Sequence, residues 1–532
     1  MIAPHPAHHS DLLTILPLQL EYIYRKPRLL ASCIFGVIFI VFGHLAANAI
    51  QAASFIMIAV NPECKEGDAC FNKGSVIGWA IGLVTVCALI NISARQFAIT
   101  VNNCFAVAKV LFVAALGLTG IIYGTAHGNT CSKISWQNQN KLQGINPAGG
   151  SFGDIVLALL YAAYPYTGFE QPFYVLAEVA SPKKTFPKAT ISAMLIVAVL
   201  FPLANVGYLC VTPYTGNEDL PHNMVISMFE RISGVSDTQS TKQNFTSLRA
   251  ISALLFVSIF GNIMAQTFTA SRVKQEIAKE GIIPYWEVFS AGSDSLLSRL
   301  WTPVHQRTGA QANMDTIHSH PEQVPIAATF LHWGFEVILI LAFGIPLSPT
   351  TAYQLLTAIK MYTVVGVLGL FTVAGLGYLK VDSWILGRHG QGRQWYRLVN
   401  GTFGRPPSEG TDTRNRTFLP PLDPLHVVVA TLGLLLLLFG TLAKPTVELS
   451  DDLPYWIGPF LAWAITLASV GWWGWLKWDE KRNSEFIYAD RKPFLALEDD
   501  GEIVCKAEVV KVKRLPIALK KEIQNGVLLD DL

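Results

Sequence analysis

Charged residues are scarce in this sequence of 532 residues. Asp, Glu, Lys and Arg make up 15% of the chain, whereas soluble proteins average roughly 25%. Hydrophobic residues make up 51%, and the mean hydropathy is +0.37. Because so little charge is available to cover a water-facing surface, the composition nearly excludes a soluble enzyme and indicates a membrane protein.

Two motifs typical of enzymes are also missing. The chain has no Walker loop to bind nucleotide phosphates and no His-Glu-x-x-His zinc motif. Its net charge is +2, and the basic residues are not gathered into one patch. We therefore predict a protein that is not an enzyme, has no nucleic-acid partner and requires no cofactor or metal ion.

Long apolar segments are the main positive feature. Each can cross a bilayer at about 1.5 Å of rise per helical residue. Because lipid leaves backbone groups no water to bind, the sequence predicts an all-α polytopic membrane protein with about ten transmembrane helices. The predicted spans cover residues 30–59, 74–93, 101–123, 152–180, 190–211, 248–270, 324–343, 351–379, 425–443 and 455–477.

The distribution of Lys and Arg predicts the orientation. Short cytoplasmic loops of membrane proteins are enriched in these residues, and an inside N-terminus leaves few of them in the external loops. The even number of spans then places both termini in the cytoplasm. We expect a leader at 1–28, a transmembrane domain at 29–477 and a solvated tail at 478–532 that serves regulation or docking.

The chain has eight cysteines. Cys64, Cys70 and Cys131 fall on predicted external loops, where they either form a disulfide or remain thiols. Four others lie in or near spans and are expected to be small packing residues: Cys33, Cys87, Cys104 and Cys210.

The fourth span has an interruption from Tyr164 to Gly168. Proline removes a backbone donor and clashes with the preceding turn, and glycine weakens a helix, so the span should break near mid-membrane. A broken helix exposes backbone groups that bind the ammonium or carboxylate of a small zwitterion. A proline kink in an ordinary packing helix is the other interpretation.

The residues after the break carry a family resemblance. Residues 169–179 read Phe-Glu-Gln-Pro-Phe-Tyr-Val-Leu-Ala-Glu-Val, and 181–189 read Ser-Pro-Lys-Lys-Thr-Phe-Pro-Lys-Ala. They resemble the sixth helix and following loop of amino acid permeases of the amino acid–polyamine–organocation superfamily. The segments at 20–28, 271–272 and 280–284 also match, and the pattern is similar to fungal permeases of the high-affinity methionine type.

The resemblance implies a LeuT-like bundle of two inverted five-helix repeats. In that alignment the first span corresponds to the third helix of the family, so the first two helices are absent and the first repeat is incomplete. The second repeat is complete in spans four to eight. We expect that this reflects an incomplete gene model.

Lys109 is the leading candidate for coupling. It lies eight residues into the third span, roughly 12 Å deep, and resembles the fifth-helix lysine of sodium-independent family members, where an ammonium replaces a bound sodium ion. The other interpretation is a lysine paired permanently for structure. Glu170, just after the break, is either a substrate or proton site or a cap. The predicted substrate contacts are Tyr164, Pro165, Tyr166, Thr167, Gly168, Glu170 and Asn262.

The roles of several other polar residues within the spans are open to two interpretations. His332 and Glu336 are spaced i,i+4 on span seven, at a depth comparable to Lys360. A structural ion pair is preferred over a proton relay, because this face is not the broken-helix site. Asn262 and Gln266 either line a cavity or bond another helix.

The function implied is a secondary transporter that moves an amino acid inward by alternating access. Methionine or another neutral L-amino acid is the expected substrate, coupled to a proton rather than sodium, and its partners are that substrate, the proton and the lipid bilayer. The plasma membrane is the expected location. The alternative is a non-transporting nutrient sensor or a truncated inactive paralogue on a permease scaffold.

Overall fold

The structure is a computed structural model. It describes residues 20, 23–24, 27–63, 71–126, 151–168, 170–178, 182–211, 224–232, 241–294, 323–388, 423–445, 453–497 and 503–519. Apart from two antiparallel sheets of two strands each, the regular structure within these ranges is helical, which confirms the predicted all-α polytopic class.

The elements are numbered in chain order over the described residues. The helices are α1 (Leu30–Phe42), α2 (Ala46–Val60), α3 (Lys73–Ser93), α4 (Arg95–Ala126), α5 (Phe152–Ala163), α6 (Pro182–Val211), α7 (Met224–Ile232), α8 (Thr241–Lys279), α9 (Trp286–Ser290), α10 (Ile326–Gly344), α11 (Pro349–Lys360), α12 (Gly369–Arg388), α13 (Asp423–Gly440) and α14 (Ile457–Asn483). The 3₁₀ segments are Tyr164–Tyr166, Gln171–Glu178 and Ile517–Leu519, a π-helix spans Met361–Leu368, and the strands are β1 (Ser293–Asp294), β2 (Gln323–Val324), β3 (Glu485–Leu497) and β4 (Ile503–Pro516).

Eight helical segments in the described part of the chain are long and apolar enough to cross a membrane. They correspond to all the predicted spans but two. The predicted ninth span is a shorter apolar helix at Leu425–Gly440. The predicted fourth span is divided into α5 and two 3₁₀ segments.

The first span is the most enclosed part of the bundle. Within its most apolar stretch 83% of residues are buried, against 17% for the span at Phe97–Ala126. The main core joins α2 to α3, α8, α10 and α11. A second cluster joins α1 to α8, α14 and the β3–β4 hairpin. The span formed by α1 and α2 is therefore the centre around which the other helices pack.

The first span is interrupted, although the sequence analysis treats 30–59 as one span. Helix α1 ends at Phe42 and α2 begins at Ala46, so residues 43–45 form a joint between two half-helices. Polar groups from elsewhere in the fold satisfy the backbone of this joint, as described below.

Helix α5 begins with a capping box. The Ser151 hydroxyl accepts a hydrogen bond from the Asp154 backbone N–H at 3.3 Å, and the Asp154 carboxylate accepts one from the Ser151 N–H at 2.8 Å. Ser151 stands in a Gly-Gly-Ser-Phe-Gly sequence at 149–153, which matches the spacing of a nucleophile elbow. Because its hydroxyl is engaged as a helix cap, we assign this serine a structural role.

The tail is not wholly solvated, which corrects the sequence-based expectation. Strands β3 and β4 form an antiparallel hairpin that pairs Glu485 with Pro516 and Leu497 with Ile503. Among the hairpin side chains whose burial the structure describes, the buried ones are Phe486, Ile487, Val512 and Leu515. A Cβ on Gly281 would lie 2.7 Å from the Val512 side chain, and Gly281 has a φ of 72°. The hairpin therefore packs tightly on the turn after α8.

One expectation about cysteine is wrong. Cys210, in the last turn of α6, is disulfide-bonded rather than a packing thiol. Cys33 and Cys87 are free and buried, and Cys104 is free and exposed. Spacing along a chain does not show which thiols approach in the fold, so sequence could not identify this bond. The predicted external group of Cys64, Cys70 and Cys131 lies outside the described residues.

Candidate functional site

The predicted break in the fourth span is confirmed. Helix α5 ends at Ala163, and a 3₁₀ turn over Tyr164–Tyr166 leads into an extended Thr167. Gly168 follows with a φ of 97°, a conformation that side chains other than glycine rarely adopt. Thr167 caps the turn, since its N–H and its hydroxyl both donate to the Tyr164 carbonyl, at 3.0 and 2.8 Å.

The second half of this span is tied to α8. It continues as a 3₁₀ segment, Gln171–Glu178, in which Val175 departs from helical geometry. The Thr269 hydroxyl of α8 donates to the side-chain oxygen of Gln171 at 2.5 Å. This contact holds the resumed segment against α8.

The joint in the first span is held by side chains. The His44 ring contacts the Val41 carbonyl through Nε2 and accepts from the Ala46 N–H through Nδ1 at 3.4 Å. The Leu45 N–H donates to the Glu336 carboxylate of α10 at 3.2 Å. These bonds pair backbone groups that a continuous helix would pair internally.

The two interruptions lie side by side. The Tyr164 hydroxyl donates to the side-chain oxygen of Asn48, in the first turn of α2, at 3.0 Å. Between them opens a cavity of about 730 Å³. Its wall is formed by Leu45, Asn48, Ile99, Asn102, Asn103, Tyr164, Pro165, Thr167, Gly168, Gln171, Pro172, Val175, Ile259, Asn262, Ala265, Gln266, Phe268, Thr269, Tyr353 and Lys360.

The structure places five of the seven predicted contact residues on this wall. These five are Tyr164, Pro165, Thr167, Gly168 and Asn262. The other two are held elsewhere. The Tyr166 ring packs edge-on against Phe201 of α6, with centroids 5.7 Å apart. The Glu170 carboxylate accepts from the Gly168 N–H at 3.0 Å and from the Gln171 side chain at 2.9 Å.

Lys109 stands beside the cavity. Its ammonium donates to the Asn262 side-chain oxygen at 2.5 Å, and the side chain packs against Gly261. Asn262 is on the cavity wall, so the contact of Lys109 with the cavity passes through this amide. Gln266, the other polar residue predicted on this helix, also lines the cavity.

The wall combines polar groups with a larger apolar area and is almost free of charge. Among the described residues that form it, Lys360 is the charged one, and amides and hydroxyls supply most of the remaining polar groups. A cation, several neutral dipoles and an apolar remainder suit a small molecule with one carboxylate and an apolar or polar side chain. The structure describes no group of three His, Cys, Asp or Glu side chains placed to hold a metal ion.

Several wall residues were not predicted from the sequence. Asn48, Asn102 and Asn103 are polar residues inside apolar helices, and such residues usually face the protein interior. That signal could have identified them. The sequence-based prediction grouped Lys360 with His332 and Glu336, away from the broken helix. In the structure Lys360 lines the cavity, and His332 and Glu336 do not. His332 Nε2 lies 3.6 Å from the Glu336 carboxylate, within one helix.

Comparison with known proteins identifies the family of this chain. A family model described as amino acid permease matches residues 17–468. The high-affinity methionine permease of Saccharomyces cerevisiae is 23% identical over 451 residues, which cover 84% of this chain and 64% of the relative. The chain therefore spans less than two thirds of that protein.

Two human proteins match over shorter regions. The cystine/glutamate transporter of Homo sapiens is 30% identical over 175 residues, which cover 33% of this chain and 32% of the length of the transporter. The large neutral amino acids transporter small subunit 2 of Homo sapiens is 28% identical over 207 residues, which cover 38% of this chain and 35% of the length of that protein.

Proposed function

Because this chain belongs to the amino acid permease family, we propose that it transports an amino acid across a membrane by alternating access. The observation that carries the proposal is the meeting of two interrupted helices at one polar cavity, marked by the Tyr164–Asn48 hydrogen bond. Interrupted helices in transporters leave backbone dipoles to bind the charged groups of a substrate. A cavity of about 730 Å³ is large enough for an amino acid.

In this proposal the substrate spans the cavity. Its ammonium group binds at the break from Tyr164 to Gly168, where backbone carbonyls leave the regular helical ladder. Its carboxylate faces the ammonium of Lys360, the charged group on the wall. The amides of α4 and α8 surround the side chain of the substrate.

We further propose that transport is inward, driven by protons and independent of sodium. Lys109 occupies the place of a bound cation, because its ammonium binds Asn262 at the cavity edge. The chain then resides in the plasma membrane with both termini in the cytoplasm. The disulfide at Cys210 supports this orientation, because disulfides persist on the oxidising side of the membrane.

Methionine or another neutral L-amino acid is the proposed substrate. This choice rests on the names of the relatives, a yeast methionine permease among them. The neutral amides of the wall fit an uncharged side chain.

The test is uptake by the purified full chain in proteoliposomes. With an acidic exterior, labelled L-methionine should accumulate above its external concentration, with or without sodium, and unlabelled neutral amino acids should compete. Uptake no higher than in empty liposomes would contradict transport. Uptake that requires sodium would contradict the coupling.

A nutrient sensor is the second candidate, and the hairpin favours it. Arg28 donates to the Ile487 carbonyl at 2.5 Å, so the tail contacts the start of the first span. A change in that span could therefore reach the tail. Saturable binding of L-methionine without flux in the same liposomes would indicate this function.

A further inference from the structure

Three ionisable side chains meet in the core behind the cavity wall. They are Lys274 on α8 and His332 and Glu336 on α10, and they are 0%, 0% and 1% exposed. Lys274 Nζ lies 2.9 Å from His332 Nδ1, and His332 Nε2 lies 3.6 Å from the Glu336 carboxylate. Ionisable groups within membrane-spanning helices are costly to bury, and they commonly mark ion or proton pathways.

The donor and acceptor properties of these side chains determine which atoms carry the protons. A lysine ammonium has no acceptor, so it donates to His332 Nδ1, and the imidazole proton is then on Nε2 and faces Glu336. The gap of 3.6 Å is too long for a hydrogen bond, and among the described residues the buried His332 Nε2 has no partner. The three side chains are therefore linked by one hydrogen bond, from Lys274 to His332, and the second, from His332 to Glu336, is not formed.

The same carboxylate holds the joint in the first span. The Leu45 N–H donates to Glu336 at 3.2 Å, where α2 begins. An ionised carboxylate is favoured at a helix N-terminus, and bonds to charged acceptors are stronger than neutral ones. The charge of Glu336 therefore stabilises the present angle between α1 and α2.

The joint also belongs to the cavity wall. Leu45 and Lys360 both line the main cavity. They also line a second space of about 10 Å³ together with His44 and Tyr164, and about one water molecule fits a space of that size. Glu336 faces Lys274, Lys360, His332 and Cys87, and His332 also faces His44. Lys360 in turn faces Glu170.

We propose that Lys274, His332 and Glu336 form a proton-binding site whose occupancy sets the joint at residues 43–45 and, with it, the shape of the substrate cavity. The site takes one proton from the aqueous cavity onto the His332–Glu336 pair and returns it to water on the other side. Before binding, the carboxylates of Glu336 and Glu170 balance the positive charges of Lys274 and Lys360. The added proton leaves one uncompensated positive charge, which favours a rearranged, more hydrated joint. Its use in coupling rests on the proposed transport function.

Hydrogen–deuterium exchange of the purified full chain tests the site without substrate. Exchange at Leu45 and Ala46 is expressed as a protection factor, relative to the intrinsic chemical rate at each pH. Between about pH 8 and about pH 5, the range in which histidines change charge, protection should fall roughly tenfold as the charge-assisted bond is lost. Protection independent of pH in the wild-type chain would overturn the proposal.

Variants assign the effect to the cluster. In Glu336→Gln, protection at Leu45 should no longer depend on pH. Glu276→Gln is the matched control, since Glu276 forms a partly buried ion pair with Lys279 within α8 and its replacement should leave the wild-type profile intact. A pH-dependent profile retained in Glu336→Gln would contradict the assignment. If that variant does not fold, His332→Gln gives the same comparison.

Transport assays separate this inference from the proposed function. Glu336→Gln should retain exchange of labelled for unlabelled L-methionine but lose accumulation driven by a pH gradient. Wild-type transport combined with pH-independent protection would overturn only the proton site. A titrating joint in a chain without transport would overturn only the proposed function.

Discussion

The ammonium of Lys109 on α4 donates a hydrogen bond of 2.5 Å to the side-chain oxygen of Asn262 on α8. This bond joins Lys109, which is not part of the cavity wall, to a residue that is. The charge of one lysine is thereby presented to the substrate cavity through a neutral amide. In the proposed mechanism the bond is where the cation that replaces sodium meets the substrate site.

Replacing Lys109 with alanine should abolish the acid stimulation of uptake, because the cation at the cavity edge is removed. The measurement is initial uptake of L-methionine as a function of external pH. Lys477→Ala is the control, because Lys477 pairs with Glu480 near the end of α14, far along the chain from the cavity wall. Unchanged pH dependence in Lys109→Ala would show that Lys109 has a structural role.

Replacing Lys360 with glutamine should raise the KM for L-methionine roughly tenfold to a hundredfold, the effect of losing a charge-assisted contact. Inhibition by methionine methyl ester, which has no carboxylate, should change little. Competition assays in proteoliposomes measure both constants. Equal losses for the acid and the ester would indicate that Lys360 does not contact the carboxylate.

Replacing Gly168 with alanine should destabilise the break by about 1–2 kcal/mol, the cost of a left-handed backbone for other residues. This cost comes from the backbone φ of 97° and not from a steric clash, because a Cβ at this position would contact only the Gln171 side chain, at 4.0 Å. Thermal unfolding in detergent measures the change. Gly433→Ala, in an open position on α13, should not destabilise the chain; equal effects of the two substitutions would refute the backbone argument.

Replacing Arg28 with alanine should loosen the β3–β4 hairpin. Arg28 donates to the Ile487 carbonyl, and its guanidinium lies 5.7 Å from the Phe486 ring centroid. A loss of about 1 kcal/mol is expected. Limited proteolysis between 485 and 516 should become faster. Arg514→Ala removes only an exposed pair with Asp479 and should have little effect; faster cleavage in that variant alone would contradict the docking.

Sequence predicted the features that proline, glycine and hydropathy control. The break from Tyr164 to Gly168 follows from Pro165 and Gly168, whose backbone restrictions act locally. The membrane spans follow from apolar length. Four of the seven predicted contacts, Tyr164, Pro165, Thr167 and Gly168, lie on the cavity wall because they form that break, and Asn262 reaches the wall from α8.

Features that depend on distant partners were missed. The joint at 43–45 lies within an apolar run, and it is maintained by Glu336, which is 291 residues away in sequence from Leu45. Lys274 falls in a loop in the sequence-based prediction, because the apolar stretch of span 248–270 ends before it, whereas α8 continues as a helix to Lys279. The hairpin was missed because its alternating strands were read as a charged tail.

The most direct test of the account is to fill the cavity. Ala265 lines it on α8, and Ala253 is exposed on the same helix but is not part of its wall. The account predicts that Ala265→Trp abolishes L-methionine uptake by folded protein in proteoliposomes, while Ala253→Trp transports like the wild type. Equal uptake by the two tryptophan variants would contradict the claim that substrate passes through the cavity between the two broken helices.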